Sequence, residues 1–167
     1  MLFRSRLRSS PEAAAELLTA ASTELAVALE ELRQLARGLH PAVLTERGLP
    51  GALESLRDRA PLPIAFVAVP EGRLPEPVEA AVYYIVVEAL TNTAKYAQAS
   101  SARVAVTVDD GRVRVEVADD GVGGAEGAAG SGLRGLADRA EALGGTLAVE
   151  SPSGGGTVVR ALIPLSY

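Results

Sequence analysis

Two runs of valine alternating with polar residues, Ser101 to Val108 and Arg112 to Ala118, meet at Asp110-Gly111, and nothing else in the chain restricts its fold so tightly. A period of two is that of a strand with one face buried, and Asp-Gly favours the tight turn that joins adjacent antiparallel strands. The pair presents a valine face that other elements must cover. With 48% hydrophobic residues, 4% aromatic residues and no Trp, the cover has to come mainly from Val, Leu and Ala. A length of 167 residues suits one compact domain plus an appendage.

The appendage is N-terminal. Ser10-Pro11-Glu12 combines a hydroxyl N-cap, a proline at the first helical position and an acid at the positive end of the dipole. Leu18, Leu25, Leu32 and Leu39 then recur with one heptad phase, and Ala21, Ala28 and Leu35 with the other, until Gly38 and Pro41 end the run. So narrow a seam, kept over about three heptads, suits a long helix packing along another in a dimer or bundle, the alternative being an amphipathic helix lying on its own domain. A shorter helix is expected between Leu49 and Ala60, with Pro50 early and Leu49, Leu53 and Leu56 on one side. After Pro61 and Pro63 come a strand over Ile64 to Val69, a Pro/Gly-rich connector and a helix over Glu76 to Ala97. Beyond the valine hairpin, a helix over Leu133 to Leu143 stops at Gly144-Gly145. Strands Thr146 to Glu150 and Thr157 to Ile163 flank the hairpin SPSGGG. This order predicts an α/β two-layer sandwich, a mixed sheet covered by helices on one face, preceded by a long α-helix.

Composition removes several classes of function. A net charge of −5 argues against a general nucleic-acid binder. The absence of cysteine leaves no disulfide framework and no thiolate metal site. The apolar run Ala80 to Val87 closes at Glu88, far short of the roughly 20 residues of a membrane span. MLFRSRLRSS lacks a signal-peptide apolar core, so the chain reads as soluble and cytoplasmic.

The chemistry gathers in three segments. On the Glu76 to Ala97 helix, Glu88, Asn92, Lys95 and Tyr96 fall at i, i+4, i+7 and i+8, opposite Val78, Val82, Ile85, Ala89 and Ala97. An amide oxygen at Asn92 suits a hard cation such as Mg²⁺ held beside phosphate. Lys95 suits phosphate oxygens, and Glu88 an attacking group to be oriented or deprotonated. Taken by themselves, these four residues are better explained by Glu–Lys pairing on a solvated face. The segment DDGVGGA, Asp119 to Ala125, shifts that balance: a carboxylate at a strand end can accept from an exocyclic amine such as adenine's, and Gly121 and Gly123 allow close backbone approach. Gly130-Ser131-Gly132-Leu133 then opens a helix whose free amides can meet phosphate, and the small residues Gly124 to Ala129 suit a short lid.

Together EALTNTAKYA, DDGVGGA, GSGLRGLADRAEALGG and GGGTVVRALIP resemble the N, G1, G2 and final Gly-Thr boxes of the GHKL ATP-binding superfamily (the Bergerat fold). Within it they are most similar to the ATP-binding domain of bacterial two-component sensor histidine kinases. The subfamily is the one whose response regulators usually carry helix-turn-helix domains. ELRQLARGLHPAVLTERGL, Glu31 to Leu49, resembles that subfamily's second dimerisation helix and its exit. The resemblance implies ATP and Mg²⁺ as ligands, a cognate response regulator as partner, and a homodimer through the N-terminal helix. Residues 1–41 would be part of the dimerisation bundle and 42–167 the catalytic domain. By position, Glu88 is the acid of the N box, Asn92 the metal ligand, Lys95 the phosphate cation, and Tyr96 stands where histidine is frequent. Asp119 reads adenine, Gly121 and Gly123 follow it, Gly130, Gly132 and Leu133 belong to the lid-closing box, and Thr157 lies near the base.

The single histidine, His40, sits at a helix end between Leu39 and Pro41 with no adjacent acid, unlike the family's acceptor, which lies inside a helix and is followed by an acid. It reads as a capping or interface residue, and the acceptor helix is expected upstream of Met1. The chain should therefore bind Mg-ATP without phosphorylating itself. Two rivals are an anti-sigma-factor serine kinase, which lacks the heptad helix, and a non-catalytic ATP-sensing dimerisation module.

Overall fold

In the computed structural model the described residues are 15, 18, 19, 21, 41–125 and 131–166. The chain divides into two units, residues 1–39 and 40–167. In the first, Ala15, Leu18, Thr19 and Ala21 are helical, the Thr19 hydroxyl donates to the Ala15 carbonyl at 2.8 Å, and Leu18 is 67% exposed. The heptad positions Leu25, Ala28, Leu32, Leu35 and Leu39, the helix end at Gly38, and His40 lie outside the described residues.

The second unit is built on the valine hairpin. Strands β2 (Ala102–Asp109) and β3 (Arg112–Asp119) pair antiparallel with Val104 opposite Val117, Val106 opposite Val115 and Val108 opposite Val113. Asp110 and Gly111 both have positive φ, 51° and 72°, as the expected tight turn requires. On the far side of β3, β5 (Thr157–Pro164) sets Val159, Ala161 and Ile163 beside Val117, Val115 and Val113, extending one buried row. Strand β4 (Thr146–Glu150) pairs antiparallel with β5, and β1 (Ile64–Ala68) pairs parallel with β2, giving the order β1-β2-β3-β5-β4. The alternate residues of the central strands, among them Arg103, Arg112, Arg114, Glu116 and Arg160, are not in the core, so helices cover one face only. This is a two-layer α/β sandwich.

Helix α1 (Ala42–Arg57) is two helices fused across a kink at Gly48, whose φ of 63° is non-helical. The expected helix from Leu49 is its second half, and it ends at Arg57 rather than Ala60. Its first half, Ala42 to Arg47, is too short for its periodicity to register, yet it buries Leu44 completely. Helix α2 (Glu76–Asn92) lies at the centre of the helical layer and buries Val78, Ala81, Val82, Ile85, Val86, Ala89 and Leu90. Its first turn also carries Glu79, fully buried, held by Arg73 through Nε to Oε1 at 3.1 Å and Nη2 to Oε2 at 2.8 Å. A buried carboxylate is tolerable only when so paired. Arg73 Nη1 also reaches the Thr45 carbonyl at 3.5 Å, so one guanidinium joins α2 to the first half of α1. Helix α3 (Ser131–Ala142) completes the layer through Leu136 and Ala140.

Candidate functional site

The α-helical spacing that put four residues in one column ends early. Helix α2 stops at Asn92, and Thr93 to Ala97 form a π-helical turn closed by Gln98 in the left-handed region, φ 51°. Such turns carry more residues per revolution and occur frequently at functional sites. Glu88 and Asn92 remain on the α-helix, both half-buried, whereas Lys95 and Tyr96 ride on the wider turn and are exposed, Tyr96 at 71%. Among the described residues the side chains of Asn92 and Lys95 have no hydrogen-bond or ion-pair partner.

The π-turn exists where another loop leans on it. Asp119, the last residue of β3, is half-buried and accepts three hydrogen bonds: Oδ1 from the Gly121 amide at 3.0 Å and the Thr157 amide at 3.2 Å, Oδ2 from the Thr93 hydroxyl at 3.1 Å. A carboxylate has about four acceptor positions, so one on Oδ2 is left. Gly121 packs so closely on the π-turn that a Cβ would strike the Ala97 carbonyl oxygen and stand 2.7 Å from the Ala97 Cβ, while the Val122 amide bonds that same carbonyl at 2.8 Å. Gly123 has φ of 61°, and a Cβ there would collide with the Pro152 carbonyl. Both glycines are needed to build the loop, whatever it holds. The β4–β5 hairpin braces it from behind: the Ser151 carbonyl accepts from Gly124, and the Ser151 hydroxyl accepts from the Ala125 amide at 3.0 Å and meets the Thr157 hydroxyl at 2.9 Å.

Asp120, one residue on, does different work. It accepts from the amides of Ser100 and Ser101 at 2.8 and 3.0 Å and from their hydroxyls at 2.6 and 2.9 Å. The Ser100 hydroxyl foremost, then the Ser101 amide, hold its carboxyl well below the usual carboxylate range. Asp120 ties the chain leaving the π-turn to the end of β3. The local pattern singles out Asp119 of this pair and not Asp120, whose partners Ser100 and Ser101 lie 20 and 19 residues away.

On the other side, α3 reaches the same place. A Cβ on Gly132 would overlap Glu88 Oε1 and lie 2.6 Å from its Cδ, so the first turn of α3, which includes Leu133, rests on the Glu88 carboxylate. Gly130 lies outside the described residues. The structure thus brings Glu88, Asp119, Gly121, Gly123, Gly132 and Thr157 around the end of α2 beside Asn92, with Lys95 and Tyr96 at its exposed rim. Thr93 and Ser151 were missed from sequence because their partners are remote along the chain.

The donor set also bears on a metal. Among the described residues no three His, Cys, Asp or Glu side chains come together to cage an ion. An unpartnered Asn92 amide near one carboxylate fits a cation of the Mg²⁺ type, which keeps waters and phosphate in most of its coordination positions.

Residues 78–167 match the family model described as histidine kinase-, DNA gyrase B-, and HSP90-like ATPase. The chain belongs to this ATPase family. It is 31% identical to the sensor histidine kinase MctS of Rhizobium johnstonii over 96% of its own length and 37% of that protein's. It is 30% identical to the oxygen sensor histidine kinase NreB of Staphylococcus carnosus over 83% and 42%. Among solved structures, the histidine kinase domain of the Erythrobacter litoralis EL346 blue-light activated histidine kinase aligns with a TM-score of 0.57 at 26% identity, covering 72% of this chain and 58% of that one. The chain spans about two fifths of the curated relatives' length. It is an ATP-binding, histidine-kinase-like domain of the GHKL fold, and no helix among its described residues is long and apolar enough to cross a membrane.

Proposed function

We propose that residues 42–167 are the catalytic domain of a sensor histidine kinase and residues 1–41 part of its dimerisation bundle. The parent protein transfers the γ-phosphate of ATP to a histidine and onward to a response regulator. The observation that carries this reading is the Asp119 carboxylate, fixed by three donors with one acceptor position left, beside the half-buried Asn92 amide and Glu88. Asp119 takes the amino group of adenine, with Thr157 close to the base and Gly121 and Gly123 allowing the loop its close approach. Asn92 would hold the metal, Lys95 and Tyr96 would face the phosphates, and the amides of Gly132 and Leu133 in the first turn of α3 would receive phosphate oxygens, with Gly130 part of the same glycine-rich sequence. Mg²⁺, when bound, neutralises charge on the phosphate chain. Glu88 orients or deprotonates the attacking group.

The acceptor histidine is a residue other than His40, whose sequence context, between Leu39 and Pro41 with no adjacent acid, differs from that of the family's acceptor. The heptad spacing of Leu18, Leu25, Leu32 and Leu39 supports pairing of N-terminal helices into a dimer. The test is calorimetric titration of ATP with and without Mg²⁺ into the chain and its Asn92→Ala variant. Saturable binding that Mg²⁺ strengthens in the parent and not in the variant supports the reading. Equal behaviour of the two, or no binding by either, overturns it.

A further inference from the structure

Among the described residues just two polar side chains are buried, Glu79 and Thr93. Arg73 accounts for the first. Thr93, 4% exposed, stands at the head of the π-turn, next in sequence to Asn92. Its hydroxyl lies 3.0 Å from the Ala89 carbonyl and 3.1 Å from Asp119 Oδ2. One hydroxyl has one proton. Two oxygens at 3.1 Å with no proton between them would repel, and a carboxylate is the stronger acceptor, so the proton points to Asp119.

We propose that Thr93 is a positioning residue that sets which purine the site accepts. Two main-chain amides saturate Oδ1, and Thr93 occupies one of the two positions on Oδ2, so the carboxylate is locked in rotation and offers a single acceptor. A single acceptor suits the lone amino donor of adenine. Guanine presents two adjacent donors, its ring N–H and its 2-amino group, and these need two acceptor positions side by side. Without the Thr93 hydroxyl the carboxylate loses its lock on Oδ2 and can turn to present one position on each oxygen, the arrangement that guanine's two parallel donors require.

The inference rests on Asp119 reading the base of ATP, and its test separates the two ideas. Dissociation constants for Mg-ATP and Mg-GTP are measured by calorimetry for the chain and for Thr93→Val, Thr93→Ser and Asp119→Asn, with a melting curve for each. Thr93→Val keeps the volume of the side chain and removes the donor. It should weaken ATP about tenfold, the cost of immobilising on binding a carboxylate no longer held in place, and leave GTP unchanged or tighter. Thr93→Ser should restore the ratio of the two affinities. If Thr93→Val keeps the parent's ratio while Asp119→Asn abolishes ATP binding, selectivity does not reside in Thr93 and the reading of Asp119 stands. An equal loss of both nucleotides together with a lowered melting point would make Thr93 a structural residue and overturn the proposal. Failure of the parent chain to bind ATP would overturn both.

Discussion

Replacing Asp119 by asparagine separates the loop's architecture from its chemistry. The amide keeps one oxygen where Oδ1 stands, so the bonds from Gly121 and Thr157 at 3.0 and 3.2 Å survive as neutral ones. Its nitrogen takes the place of Oδ2 and faces Thr93, whose hydroxyl can turn its proton to the Ala89 carbonyl at 3.0 Å and accept instead. Every donor stays satisfied, and the cost in folding is about 1 kcal/mol, the difference between charge-assisted and neutral bonds. Binding has no such escape. The acceptor offered to the adenine amine becomes a donor, which removes a bond of about 1.5–3 kcal/mol and sets two N–H groups against each other. We expect ATP affinity to fall by more than about 100-fold, read by calorimetry with Mg²⁺ present, alongside a urea melt that shifts little. An affinity within about threefold of the parent's would refute the assignment of Asp119 to the base.

Other substitutions test other parts of the account. Arg73→Met leaves Glu79 buried and unpaired and should cost about 2–3 kcal/mol in urea unfolding, less than a fully buried pair would because Arg73 is itself 57% exposed; an Arg73→Met, Glu79→Met double variant should recover most of it. Because the folded pKa of Asp120 is depressed, its contribution to stability is complete above the unfolded value and fades as pH falls toward the folded one. The gap in melting temperature between the parent and Asp120→Asn should therefore be constant at neutral pH and shrink below about pH 4. Gly132→Ala drives a methyl into the Glu88 carboxylate. The contacted atom is the far end of a side chain that can shift, so a urea melt should show a change of less than about 1–2 kcal/mol, and a loss above about 3 kcal/mol would show that the contact is rigid.

Alternation and turn chemistry made the sheet legible. The valine hairpin, its Asp110-Gly111 turn and the acid at the strand end before two glycines are local signals, and each sits where those signals put it. Three features were not legible because they are products of tertiary packing. The π-turn over TAKYA has no local signature; it accompanies the close seat of Gly121 on Ala97 and shifts Lys95 and Tyr96 off the α-helical column. Thr93 read as an ordinary helix position because its partner Asp119 is 26 residues away. Glu79 stands with Glu76 in the first turn of α2, and only the fold brings Arg73 over it. The short first half of α1 escaped for a simpler reason: six residues between Pro41 and Gly48 are too few to display a period.

If ATP binds at the end of α2, between the Asp119 loop and the first turn of α3, a crystal structure of the chain with Mg²⁺ and a non-hydrolysable ATP analogue should show it. The adenine amino group is expected within hydrogen-bonding distance of Asp119 Oδ2, and the metal on the Asn92 amide oxygen. A base that lies away from Asp119, or a metal without contact to Asn92, would refute the proposed mode of binding.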